Sequence, residues 1–236
     1  MTAQLTLDLD VTPRYGRCDF MPSGSNAQAL ALVDAPAWPN GKLVVVGPAG
    51  SGKTHLGRIW AADAGAAVVA GADLAQADIP ALAAAGAVFV DDAGAVAGRA
   101  EEALFHLHNL LGAQGGRLLL AARARPADWG LGLPDLKSRM EATTLVRLEA
   151  PDDALLAAIL VKSFADRQVA VDPTLIAWLV PRIDRSAAAA TAIAARLDRA
   201  ALGRGGRISR ALAAEVLDGA APGDDIPGRD ARDGDG

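Results

Sequence analysis

One stretch narrows the fold of this chain more than any other: Gly47-Pro48-Ala49-Gly50-Ser51-Gly52-Lys53-Thr54, set between the apolar run Leu43–Val46 and a helical pattern over Thr54–Asp63. The pattern G-x-x-x-x-G-K-T between a strand and a helix is a phosphate-binding loop. Its glycines let the backbone curl so that successive N–H groups face an anion, and the helix start adds partial positive charge. Lys53 then meets the β- and γ-phosphates, the Thr54 hydroxyl ligates Mg²⁺, and the remaining loop residues through His55 form the cradle. His55 itself has a blander alternative, packing or facing solvent.

Around this loop, short apolar runs recur at Lys42–Val46, Ala67–Ala70, Ala87–Val90, Leu118–Ala121 and Thr143–Leu148, with helical patterns or turns between them. Such alternation predicts an α/β fold with a five-stranded parallel sheet flanked by helices. The runs are continuous rather than alternating, which suits strands buried on both faces. The third run ends in Asp91-Asp92. Asp91 is placed to hold the Mg²⁺ shell and Asp92 to act on the attacking water, giving a P-loop nucleotide binder of the additional-strand type. Leu133–Met140 carries Arg139 just before the last strand. There it fits either an arginine finger reaching a neighbour's γ-phosphate, worth ~10³–10⁵ in rate, or a surface arginine paired with Asp135 or Glu141.

Composition and organisation narrow the class further. The 236 residues imply one large domain, or one domain plus a small one. A single cysteine, Cys18, excludes an internal disulfide, and three histidines without ligand spacing argue against structural zinc. His106 and His108 are two apart on a helix and cannot share a face. The longest uncharged apolar stretch lies between Asp78 and Asp91 and contains Pro80 and Gly86, too short for the ~20 residues of a membrane span. No secretory h-region is visible, so a soluble cytoplasmic protein is expected. The net charge of −5 argues against a broad basic face for nucleic acid.

Four regions follow: an N-terminal tag and arm (1–21), the P-loop subdomain (22–150) opening on a short helix near 25–34, an α-helical lid (151–219), and a disordered acidic tail (220–236). Within the lid, helices are expected over Asp152–Ala165, from Asp172-Pro173, over Arg185–Ala201 and over Ser209–Leu217.

Together these residues resemble the DnaA/Hda family of bacterial AAA+ replication-initiator homologues, and most closely its short Hda branch, which carries out regulatory inactivation of DnaA. The resemblance covers about residues 4–218. It rests on GPAGSGKTHL (Gly47–Leu56), on FVDDA with Asp91-Asp92, on LFHLHNLL (Leu104–Leu111), and on LPDLKSRM (Leu133–Met140), which is similar to the family's finger box. It implies an AAA+ P-loop domain with a small all-α lid, binding ADP or ATP with Mg²⁺. Ser25-Asn26-Ala27 looks like the segment beside the adenine. Gln4-Leu5-Thr6-Leu7-Asp8-Leu9 resembles the peptide that docks replication proteins on the β sliding clamp. Gln4 would take a polar subsite and the leucines apolar pockets; the alternative is an edge strand.

The implied function is a negative regulator of replication initiation, docked on the clamp and supplying Arg139 in trans to hydrolysis by the initiator DnaA. Self-association through the same nucleotide edge is also expected. Because the chain stops at the lid, direct sequence-specific DNA binding is not expected. Two departures bear on catalysis: Ala121 and Ala122 stand where the family has a polar sensor, and the lid's sensor arginine position falls on Ala188. Arg185, about a turn earlier, either reaches the phosphates or is a solvated helix residue. Tight nucleotide binding with feeble intrinsic turnover is therefore expected. The competing readings are an autonomous P-loop ATPase and an AAA+ loader acting on DNA.

Overall fold

The computed structural model describes residues 16–17, 20–202 and 207–219. Gln4, Leu5, Leu7 and Leu9 of the tag, Cys18 and the acidic tail lie outside the described residues. Five parallel strands form one sheet: β1 (Lys42–Val46), β2 (Ala67–Ala70), β3 (Ala87–Asp91), β4 (Arg117–Ala122) and β5 (Thr144–Arg147), in the order β2-β3-β4-β1-β5. β4 is therefore the additional strand, inserted between the strand that leads into the P-loop and the strand that ends in the two acids. Val46 pairs with Ala122 and Val90 with Leu120, so the carboxyl ends of β1, β3 and β4 share one edge. Ligands of open parallel sheets bind outside that edge.

The central strands β1, β3 and β4 are buried almost throughout, as their unbroken Val/Leu runs require. β2 and β5 depart from that expectation. They are the edge strands, each with one neighbour, and their burial alternates, leaving Val68 and Leu145 exposed. Period-two side chains divide the core into two layers. Leu43, Val45, Phe89 and Leu119 pack with Leu56 and Trp60 of α2 (Lys53–Ala64) and with Ala29 and Val33 of α1 (Ala27–Val33). Val44, Val90, Leu118 and Leu120 pack on the other side against Leu104, Leu107 and Leu111 of α4 (Glu101–Ala113). Leu136 and Met140 of α5 (Pro134–Glu141) join this layer, as does Ala83 of α3 (Ile79–Ala84). Gly57 brings α2 close to the sheet: a Cβ there would lie 2.1 Å from the Phe89 ring.

Beyond the sheet come α6 (Asp153–Ala165), α7 (Pro173–Leu179), α8 (Ala187–Leu202) and α9 (Arg210–Asp218). The chain divides into two compact units, one reaching Leu155 and including Arg185–Ala187, the other formed by Leu156–Asp184 and the residues from Ala188 onward. The helical unit has its own core. Leu156, Leu160 and Phe164 recur every four residues, as do Ile193, Leu197 and Ala201, and they meet Leu175, Leu179 and Leu212. Asp172 accepts the Thr174 N–H at 2.7 Å and Ser209 the Leu212 N–H at 3.2 Å, which fixes both helix starts where capping chemistry puts them. α8 begins at Ala187, two residues later than expected. Among the described residues, no helix is long and apolar enough to cross a membrane.

Candidate nucleotide site

The loop after β1 bends sharply at Gly50 (φ +73°) and Gly52 (φ +98°), conformations that glycine adopts at little cost. Gly47 is held by its N–H to the Ala122 carbonyl at 3.2 Å, and a Cβ on it would lie 2.1 Å from the Leu148 carbonyl oxygen. A Cβ on Gly50 would lie 2.2 Å from that of Ser186. Ser51 is buried beneath the loop, and Pro48 and Ala49 form its outer rim. The Lys53 ammonium caps the turn, donating to the carbonyls of Gly47 (2.8 Å) and Pro48 (2.7 Å). Burial, and after it the Arg123 charge, holds this ammonium below the usual lysine range, while Asp91 and Asp92 act the other way. It is a desolvated cation that an incoming phosphate would compensate.

The acids meet the loop across the sheet edge. The Thr54 hydroxyl donates to Asp91 Oδ1 at 3.1 Å, and the Asp92 N–H donates to the same oxygen at 3.1 Å. A hydroxyl and a carboxylate side by side are the oxygen donors that suit Mg²⁺, which takes one or two protein ligands and completes its shell with water and phosphate. Among the described residues, no three His, Cys, Asp or Glu converge as an all-protein metal cage. Asp92 turns out of the strand in a left-handed conformation (φ +49°) and is exposed. Gly71 permits the turn, since a Cβ on it would lie 2.5 Å from the Asp92 carbonyl oxygen.

The other expected ligands are distributed unevenly. His55 stacks edge-on against Phe20, ring centroids 5.5 Å apart, which packs the arm beside the P-loop. Asn26 is buried with both ends of its amide engaged in its own turn: it accepts the Ser23 N–H and donates to the Met21 carbonyl, each at 2.8 Å. Arg185 stands ahead of α8 rather than on it. Its guanidinium binds Asp153 Oδ1 at 2.6 Å and the Pro151 carbonyl at 3.3 Å. Ala121 and Ala122 are buried and offer no polar side chain, but the next residue, Arg123, brings a cation that sequence spacing did not single out.

Arg139 lies at the other end of the sheet. α5 runs from the carboxyl edge back towards the start of β5. In its last turn Arg139 is exposed and rests over the Phe105 ring, 5.0 Å from guanidinium carbon to centroid. Among the described residues neither Asp135 nor Glu141 pairs with it. It shares a cavity with Lys42, the first residue of β1, whereas the P-loop follows the last residue of that strand. Five residues of β1, about 16 Å, separate it from its own phosphate cradle.

The start of α5 is fixed by a residue missed in the sequence. Glu101 Oε1 accepts the N–H groups of Gly98 (2.8 Å) and Gly132 (3.1 Å), and Oε2 that of Leu133 (2.6 Å). These bonds, Gly98's foremost, hold its carboxyl below the usual range. The partners lie up to 32 residues away, so no local pattern reveals them.

No protein-family model matches the sequence, and no curated protein matches it either. Solved structures do. Domain III of the replication initiation protein DnaA from Thermotoga maritima superposes with a TM-score of 0.74 at 16% identity, over 88% of this chain and 97% of that one. AMPPCP-bound DnaA from Aquifex aeolicus gives 0.61 at 21% identity, over 75% of this chain and 62% of that one. The RuvB Holliday junction branch migration motor of Thermotoga maritima gives 0.58 at 19% identity, over 75% of this chain and 61% of that one. The chain thus shares the fold of DnaA domain III, spanning nearly all of that domain and about three fifths of the longer DnaA.

Proposed function

We propose that this chain is a cytoplasmic AAA+ regulator of replication initiation that binds ADP or ATP with Mg²⁺ and supplies Arg139 to a nucleotide held by another chain. The observation that carries the reading is the placement of Arg139: exposed, with no carboxylate partner among the described residues, and a full strand length from its own P-loop. A guanidinium so placed is free to meet a phosphate bound by another chain, which supports the trans role. The partner of the implied chemistry is the initiator DnaA, with a second copy of this chain as the alternative occupant of that edge. The likeness to an AMPPCP-bound DnaA supports the choice of nucleotide.

In this reading the backbone N–H groups of Gly50, Ser51, Gly52 and Lys53 bind the phosphates. Lys53 exchanges its two carbonyl partners for phosphate oxygens. Thr54 and Asp91 would hold Mg²⁺, which when bound would supply Lewis-acid charge to the phosphates. Asp92 orients water. With Ala121 and Ala122 at the strand end, water has one fewer polar neighbour, so the chain's own turnover is feeble and nucleotide acts chiefly as a conformational ligand. His55 and Phe20 set the arm against the loop, Asn26 holds the turn at 21–26, and Arg185 ties the segment before α8 to Asp153. The tag bearing Gln4, Leu5, Leu7 and Leu9 docks the assembly on the β sliding clamp.

The test is ATP hydrolysis by the initiator with DNA-loaded clamp and this protein, parent against Arg139→Ala. Loss of stimulation by about 10³-fold or more is expected; unchanged stimulation removes the mechanism. Leu7→Ala with Leu9→Ala should abolish clamp pull-down and leave nucleotide affinity intact. Robust hydrolysis by the purified chain alone would instead mark an autonomous ATPase or a loader.

A further inference from the structure

At the amino end of the strands, away from the P-loop, lies a cavity of about 640 Å³. Lys42, His108, Asn109, Gly112 and Arg139 are among its lining residues, and no Asp or Glu is. Lys42 is only 5% exposed, yet its ammonium has one hydrogen bond, to the Asn40 carbonyl at 3.0 Å, and no carboxylate partner among the described residues. His108 is 9% exposed, and its buried Nδ1 has no hydrogen-bond partner. Burial and the Arg139 charge both hold the Lys42 ammonium below its usual range, so nothing nearby offsets it. A buried cation is ordinarily paired, because taking it out of water without a counter-charge is costly. Here two cations and a histidine line one cavity that holds no counter-charge.

We propose that this cavity binds a phosphate-class oxyanion, with Lys42 and Arg139 supplying its charge and His108 and Asn109 its further contacts. Two fixed positive charges match a phosphate dianion, whereas a carboxylate would leave one charge unbalanced. Lys42 retains two N–H donors after Asn40, and the guanidinium has five. The oxyanion has two sources, free phosphate or the terminal phosphate of a nucleotide in another chain's P-loop. The second source rests on the trans role of Arg139; the first does not.

The full chain carrying Lys53→Ala, whose own P-loop is disabled, separates them. Thermal midpoint and calorimetric titration with inorganic phosphate and pyrophosphate are the readouts. Binding is expected and should fall at least tenfold on Lys42→Met, with a smaller loss on Arg139→Gln. Lys42→Met should also melt higher than its parent without phosphate, which shows that it folds and that the charge it removes was uncompensated. If the Lys53→Ala chain ignores free phosphate but associates with ATP-loaded parent protein, and Lys42→Met in the former abolishes that association, the phosphate is the neighbour's. Neither response, or the same response in Lys42→Met, overturns the site. Phosphate binding that persists while Arg139→Ala leaves initiator hydrolysis unchanged would retire the trans reading alone.

Discussion

Replacing Glu101 by Gln tests how the helix that carries Arg139 is held. The carboxylate accepts three backbone N–H groups, two on Oε1 and one on Oε2. A glutamine keeps one acceptor oxygen, so its amide nitrogen must face either the Leu133 N–H or the Gly98 and Gly132 pair, donor against donor. At least one charge-assisted bond is lost, each worth about 1.5–3 kcal/mol. Solvent access lowers that figure, and we expect about 1–2 kcal/mol. At about 2–4 °C per kcal/mol for a chain of this size, the midpoint should drop by about 2–8 °C.

The pH dependence has a fixed sign. Because the folded carboxyl lies below its ordinary 4.5, its contribution is complete above that value and is lost as pH falls through the folded pKa. The gap between parent and variant should therefore be full at neutrality and close in acid. Nucleotide affinity should hold, because the P-loop shares none of these bonds, while on the proposed trans role of Arg139 stimulation of initiator hydrolysis should fall with the slackened α5. Differential calorimetry at about pH 7 and about pH 3.5, with nucleotide titration, decides it. An unchanged midpoint at neutrality, or a nucleotide affinity that falls as far as stimulation does, refutes the reasoning.

Two further outcomes follow from packing and charge. His108 is held down to about 4, by burial first and then by Lys42 and Arg139. The unfolded chain thus takes up its proton near 6.5 while the native state waits, and stability should decline as pH falls between those values. His108→Gln should flatten that decline in denaturant titrations; an identical slope would rule the histidine out as its source. Gly57→Ala puts a methyl 2.1 Å from the ring of fully buried Phe89, an overpacking that should cost about 1–3 kcal/mol or more by chemical unfolding. Adding Phe89→Leu should recover much of the loss, and failure to do so would mean that Gly57 matters for another reason.

The sequence alone determined the α/β alternation, the strand positions to within about a residue, and the placement of Gly47–Thr54 and Asp91 at strand ends. These depend on local physics: apolar runs that must be buried, glycines that must curl, and caps such as Asp172 and Ser209. Tertiary structure alone decided which strands lie at the edges, leaving Val68 exposed in a run that reads as core. It also decided that Asn26 and Arg185 spend their polar groups close to home, that Glu101 fastens a helix 32 residues away, and that Lys42, His108 and Arg139 face one cavity. The Glu101 bonds and the shared cavity have no period or spacing to read, because each joins residues distant in sequence. The motif Leu133–Met140 singles out Arg139, but only the direction in which α5 returns across the sheet puts it at the opposite end from the P-loop.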